Sequence, residues 1–384
     1  MRIYLDNSAT TRVCDAAAEA VQHSMREGFY NPSALYASAL ESEHGLREAR
    51  RQIAFRLDAD EKNVIFTSGG TESDNLAIWG QLEALHRPGD VLYTAAEHPA
   101  VRNACLEAQR RFGANPREIP LTKDGLVDMA ALEAMLSPNT GLICVMQVCN
   151  ETGVIMPLGD VCALRDRLAP AAAIHVDGVQ GFLREPVSFR ALGIQSYALS
   201  AHKFHGPKGV GALVLGNGAR VRPMMAGGGQ QGDLRSGTEN TCGIAGMRAA
   251  IESFPADARE HMRKLKYLLV QQLRQSLPET VVLGLPPEHP ASAGHILSVA
   301  FPPVRAETLL HALDGDGICV GTGSACSSKK GRHSHVLTAM RASPAAMDGA
   351  IRISLCPDNT EDEMRRTAER IAAHVSMLKR FARR

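Results

Sequence analysis

Ser200-Ala201-His202-Lys203-Phe204-His205-Gly206-Pro207-Lys208-Gly209 follows a short apolar run at 197–199. A lysine just past a buried strand, with a Gly/Pro turn behind it, is poised to enter a site at the end of that strand. In its neutral form such an amine condenses with an aldehyde cofactor. A surface lysine in a basic loop fits this segment equally well, so its meaning depends on its neighbours.

The run at 197–199 is one of several. Others lie at 64–66, 91–94, 142–148, 172–176 and 210–215, and amphipathic stretches at 38–57, 72–86, 99–112 and 158–168 separate many of them. Strands that are apolar without alternation predict burial on both faces. Alternating with helices, they predict a mostly parallel α/β sheet. Gly227-Gly228-Gly229 follows the last of these strands, and a long helical stretch is expected over about 240–275. Beyond it, strands are expected near 295–301 and 350–355 and helices near 305–313 and 361–381. Thr360 and Glu363 form a capping box at the start of the last helix. A domain boundary falls in the long helical stretch, near 255.

The 384 residues suffice for one large domain or two ordinary ones. With 42 basic residues against 41 acidic ones the net charge is +1, which argues against nucleic acid or another polyanion as partner. No apolar run is long enough to span a bilayer, and the start, Met1 to Asp6, lacks an apolar signal region. A cytoplasmic protein without membrane attachment is expected. The nine cysteines are odd in number, scattered and without a C-x-x-C pair, which argues against a disulfide framework. Most lie in apolar runs and read as small buried hydrophobes.

Cys326 differs. It sits in Val320-Gly321-Thr322-Gly323-Ser324-Ala325-Cys326-Ser327-Ser328-Lys329-Lys330-Gly331, small and polar between glycines. Lys329, Lys330 and Arg332 favour the thiolate. Such a loop suits a nucleophile that enters a site and leaves it again; a linker with an incidental thiol is the competing reading.

Four further segments add polar groups at strand ends. Ile174-His175-Val176-Asp177 ends an apolar strand in a carboxylate, the group that a pyridine nitrogen needs opposite it, and Gln180 follows. Asp177 as a helix cap is the bland alternative. Thr67-Ser68-Gly69-Gly70-Thr71 stands between a strand and a helix, where glycines and free N–H groups accept an anion; a tight turn fits as well. Ser200 and His202 are further phosphate donors in the lysine segment. His98, before Pro99, again follows a strand. Arg352 lies in Ala350-Ile351-Arg352-Ile353-Ser354-Leu355, whose alternation puts Arg352 and Ser354 on one strand face, where the guanidinium can clamp a carboxylate or form an exposed salt bridge.

Taken in order, Tyr4 to Thr11, Gly69 to Leu76, Glu97-His98-Pro99, Asn150-Glu151-Thr152-Gly153, Asp177 to Gln180, Ser200 to Gly211, Ser236 to Asn240 and Gly323 to Ser327 resemble the cysteine desulfurases. More narrowly, they are similar to the group that feeds iron–sulfur cluster assembly and thio-modification. The likeness runs from residue 4 to about 357. It implies a homodimeric enzyme of fold type I that uses pyridoxal 5'-phosphate (PLP), with a seven-stranded, mostly parallel sheet in a large domain, 12–255. A smaller α+β domain, 1–11 plus 256–384, would carry the cysteine loop.

The same resemblance implies the residue roles. Lys203, Cys326 and His98 would be catalytic. Gly70, Thr71, His98, Asn150, Asp177, Gln180, Ser200, His202 and Lys203 would hold the cofactor, with Thr238 reaching the phosphate of the neighbouring subunit's cofactor. Asn7, Asn150 and Arg352 would bind the substrate, L-cysteine. The products would be L-alanine and a persulfide on Cys326, passed to a sulfur-acceptor protein such as a cluster scaffold or thiolation enzyme. No resident metal is expected, since Cys326 with His333 and His335 matches no zinc spacing. In some members the cysteine ligates a cluster held on a partner, a transient role the sequence leaves open for Cys326. Two features depart from the pattern. Met146-Gln147-Val148-Cys149 replaces a stretch that often holds histidine and asparagine, which puts an extra thiol near the expected site. The ending at Arg384 is shorter than in relatives that dock a scaffold through a tail. A selenocysteine lyase and an aminotransferase of the same fold are the rival readings.

Overall fold

The computed structural model describes residues 2–86, 88–323 and 333–382. Among them, strands form two sheets. β1 is Ile3–Leu5, β2 Val64–Thr67, β3 Asp90–Thr94, β4 Asn115–Ile119, β5 Thr140–Cys144 and β6 Ala173–Asp177. β7 is Ser196–Ser200, β8 Gly211–Leu215, β9 Val281–Val282, β10 Ile296–Ala300, β11 Ile318–Thr322 and β12 Ile351–Ser354. The seven-stranded sheet has the order β2-β8-β7-β6-β5-β3-β4. β8 pairs antiparallel with both its neighbours, and the other pairings are parallel. The expected mostly parallel sheet is thus present. A five-stranded sheet, β1-β11-β12-β10-β9, joins the start of the chain to its last third.

Every residue of β2, β3, β7 and β8 is buried, as unbroken apolar runs require in a sheet covered on both faces. β4 was not legible as a strand because it is an exposed edge, Asn-Pro-Arg-Glu-Ile, with Pro116 where a central strand would need an N–H. The apolar run at 142–148 ends as a strand at Cys144. The helix expected over about 240–275 is two helices, Thr241–Ser253 and Ala258–Ser276, and Pro255 stands in the break. The capping box before Glu361–Ala382 is present, with Thr360 Oγ1 accepting from Glu363 N at 3.3 Å and Glu363 Oε2 from Thr360 N at 3.1 Å.

Polar groups buried between the strands fix the C-terminal edge of the large sheet. His175 bonds Asp74 at 3.2 Å through Nε2 and Ser196 at 2.9 Å through Nδ1, clamping the helix Gly70–Glu83 onto β6 and β7. Burial pushes the His175 pKa down to about 3, so the imidazole is neutral. Glu97 Oε1 accepts from Thr94 Oγ1 at 2.6 Å and from Met146 N at 2.8 Å, tying the ends of β3 and β5 together.

Two stability outcomes follow. A Cβ at Gly178 would lie 1.8 Å from Cζ of Tyr197, whose hydroxyl donates to Gln147 at 2.6 Å. Gly178→Ala is expected to lose about 1–3 kcal/mol in denaturant unfolding by overpacking; an unchanged midpoint contradicts this packing. Glu97, fully buried, has its pKa raised from 4.5 to about 8, chiefly by burial. The folded state therefore keeps a proton that the unfolded chain releases near 4.5. The associated stability is complete below that pH and is lost as pH rises to about 8, amounting to a few kcal/mol, on the order of 1.4 per unit. The melting temperature of Glu97→Gln is expected to fall less steeply between these limits than the wild type's; parallel profiles would count against the assignment.

Candidate active site

β2, β3, β5, β6 and β7 run in one direction, so their C-terminal ends open at one edge of the sheet. Open α/β sheets bind ligands at this edge. A cavity of about 370 Å³ lies there, and Gly70, Thr71, His98, Asn150, Asp177, Gln180, Ser200, His202, Lys203 and Arg352 all line it. These residues come from sequence positions far apart, and the fold brings them to one place.

One end of the cavity is built from the start of the helix Gly70–Glu83. Gly69, at φ +147°, precedes it in a conformation other residues rarely adopt. A Cβ at Gly69 would come within 3.3 Å of Ser200 Oγ, and one at Gly70 within 2.6 Å of Val179 Cγ2. The missing side chains therefore leave the helix N–H groups open beside Thr71 and Ser200. Glu72 secures the turn from outside, accepting from Ser68 N at 2.7 Å and from Arg235 at 2.8 Å. His202 bonds Thr10 at 3.1 Å, and burial holds it neutral with a pKa near 4.

Asp177 ends β6 and accepts from Val179 N at 2.9 Å. Burial raises its pKa, against the opposing fields of His98 and Lys203. Gln180 donates to Ser8 O at 3.0 Å, and its buried Oε1 has no partner among the described residues. His98 caps the helix Pro99–Phe112 by accepting from Ala100 N at 3.2 Å. It faces the open cavity, and the surrounding protein pulls its pKa below the ordinary value. Lys203 Nζ donates to Ser8 O at 2.6 Å and Ala9 O at 3.0 Å. Burial, then Arg352 and Arg184, lower its pKa to about 8, so about a tenth of the amine is neutral at pH 7.

Arg352 on β12 is 5% exposed. It donates to Asn150 O at 3.0 Å and Asp6 Oδ1 at 2.9 Å, and its Nε has no partner among the described residues. Asn7 does not line the cavity: it is buried with its amide donating to Ser354 O at 2.9 Å, and so pins the start of the chain to β12. Thr238 is exposed and lies outside the cavity of its own chain. Cys326 lies outside the described residues. Cys149, expected near the site, is fully buried in the core and does not line the cavity.

Asp74, Glu151 and His335, to which the sequence assigned no role in the site, also line the cavity. Glu151, its pKa raised to about 7 by burial, accepts from Ser334 Oγ, and Gly323 packs against the same carboxylate. His335 Nε2 donates to Glu97 O at 3.1 Å. Glu151 was already quoted in a motif; its burial, the feature that singles it out, is tertiary.

PLP fits these residues. An anion end without Cβ atoms, a carboxylate at the end of β6, an unpartnered amide oxygen and a depressed amine line one cavity. Among the described residues there is no cluster of His, Cys, Asp and Glu that could hold a metal ion, and no helix long and apolar enough to cross a membrane.

The chain is similar to known proteins over nearly its whole length. A cysteine desulfurase of Cereibacter sphaeroides is 37% identical over 379 residues, 98% of this chain and 97% of that protein. The solved structure of a NifS-like protein superposes with a TM-score of 0.90 at 35% identity, covering 98% of this chain and 100% of the other. A structure described as SspA in complex with cysteine has a TM-score of 0.80 at 27% identity, covering 94% and 100%. The family description aminotransferase class-V matches residues 3–366, and the chain belongs to that family.

Proposed function

We propose that this chain is a PLP-dependent cysteine desulfurase, releasing L-alanine from L-cysteine and leaving a persulfide on Cys326. The observation that carries this reading is the convergence of Lys203, Asp177, His98 and Arg352 on one cavity, with the glycine-led start of the helix Gly70–Glu83 at its edge.

Gly70, Thr71, Ser200 and His202 would hold the phosphate, Asp177 the ring nitrogen and Gln180 the ring hydroxyl, with His98 against the ring. The exposed Thr238 would serve the cofactor of a second copy in a homodimer. Bound PLP supplies an electron sink for the substrate's α-carbon. Arg352 and Asn150 orient the substrate through its carboxylate. Lys203 Nζ, neutral in a useful fraction, anchors the cofactor and takes the α-proton when freed. His98 assists further proton transfers. The Cys326 thiolate attacks the substrate sulfur: an S–S bond forms, the C–S bond breaks, and its electron pair stays with carbon, which is protonated to give alanine. The persulfide would then pass to an acceptor in cluster assembly or in tRNA or cofactor thiolation, in the cytoplasm. Residues 12–255 would form the cofactor-binding domain, and 1–11 with 256–384 the domain that carries the cysteine loop.

The test is product analysis with L-cysteine and a thiol reductant, for wild type and Cys326→Ala side by side. Equal alanine and sulfide from the wild type, lost in the variant, is expected. Full turnover by the variant points to a selenocysteine lyase, and a keto acid product to an aminotransferase.

A further inference from the structure

The turn after β6 carries a charge that the reaction above does not use. Arg184 is 2% exposed. Its Nη2 donates to the backbone carbonyl of Lys203, while its Nε and Nη1 have no hydrogen-bond partner among the described residues. The adjacent Glu185 turns away and binds Arg259 at 2.7 Å. Cys356 faces the guanidinium, but burial raises its thiol pKa to about 11, so it supplies no negative charge. His205 and His295 are the other titratable groups in its field; burial first, and Arg184 next, hold both below the ordinary pKa. Arg184 is therefore a buried cation without a counter-charge among the described residues, an arrangement that costs stability.

Its placement gives that cost a use. Phe182 in the same turn packs on Phe204 with ring centroids 5.1 Å apart, so the turn and the lysine segment form one packed unit. The charges that act on the Lys203 amine are Arg352 on β12, Arg184, Asp177 on β6 and Asp6 after β1, with His98 and His202 also in its field. Arg352 is paired with Asp6 at 2.9 Å, which offsets part of its charge. Arg184 has no such pairing. A lysine is made nucleophilic by desolvation or by a second cation nearby, and here both are present.

We propose that Arg184 is a positioning residue for Lys203: it fixes the lysine backbone through the carbonyl, and its unpaired charge disfavours a proton on the amine. This rests on the reading of Lys203 as the cofactor-holding amine, but the cofactor-free protein tests it separately. The experiment is competitive labelling of amines with acetic anhydride across pH, with the Lys203 peptide quantified by mass spectrometry. The wild-type midpoint is expected near 8. Arg184→Gln keeps an N–H donor but loses the charge, and its midpoint is expected to rise by roughly one unit. Arg184→Lys keeps the charge, and its midpoint is expected to stay close to the wild type's. Arg184→Met, which replaces the buried charge with apolar volume, takes the place of Gln if near-UV circular dichroism shows that Gln does not fold. An unchanged midpoint in a folded neutral variant, or a shift in Arg184→Lys as large as in the neutral one, overturns the proposal. Neither outcome touches the assignment of the reaction, which fails separately if cysteine yields no alanine.

Discussion

Parallel pairing of β6 with β7 sets Asp177 opposite Ala198, and from that register the rest of the site follows. Ser200 ends β7 at the same edge, and Lys203 comes one short helical turn later. β5 continues the row on the other side and leads to Asn150, and β3 brings His98. A slip of one residue would turn Asp177 to the other face of the sheet and separate the carboxylate from the amine. The buried bonds among Asp74, His175, Ser196 and Gln81 hold that register, because each is an internal polar group that would be costly to leave unpaired.

The second sheet closes the cavity from the other side. β1 pairs with β11, and Asp6, just beyond it, holds Arg352 on β12. The carbonyls of Ser8 and Ala9 take the Lys203 amine, so a few residues at the start of the chain touch both Lys203 and Arg352. Glu151 receives Ser334 and lies against Gly323, the described residues on either side of the segment that contains Cys326.

Much of this was legible in the sequence because Asp177 directly follows an apolar run and Lys203 and His98 each come shortly after one. The apolar runs themselves revealed the buried strands but not β4, whose exposed edge carries no such pattern. Pro255 marks the break in the long helical stretch, yet an apolar stripe on both sides of it reads as one helix. Asp74 and Arg184 were invisible for a different reason. Their significance lies in being buried, and burial is set by chain segments far away in sequence. Asn7 was assigned by resemblance to substrate binding, whereas its amide is spent on β12. Cys149 looked like an extra thiol at the site because it adjoins Asn150, but it is fully buried in the core.

The proposed reaction requires Lys203 to hold PLP in the cavity at the sheet edge. Borohydride reduction of the PLP-loaded protein, followed by peptide mapping, tests this directly. The phosphopyridoxyl group is predicted on the peptide that contains Lys203. Its appearance on another lysine, such as the buried Lys266, or its absence from every peptide, would contradict the account.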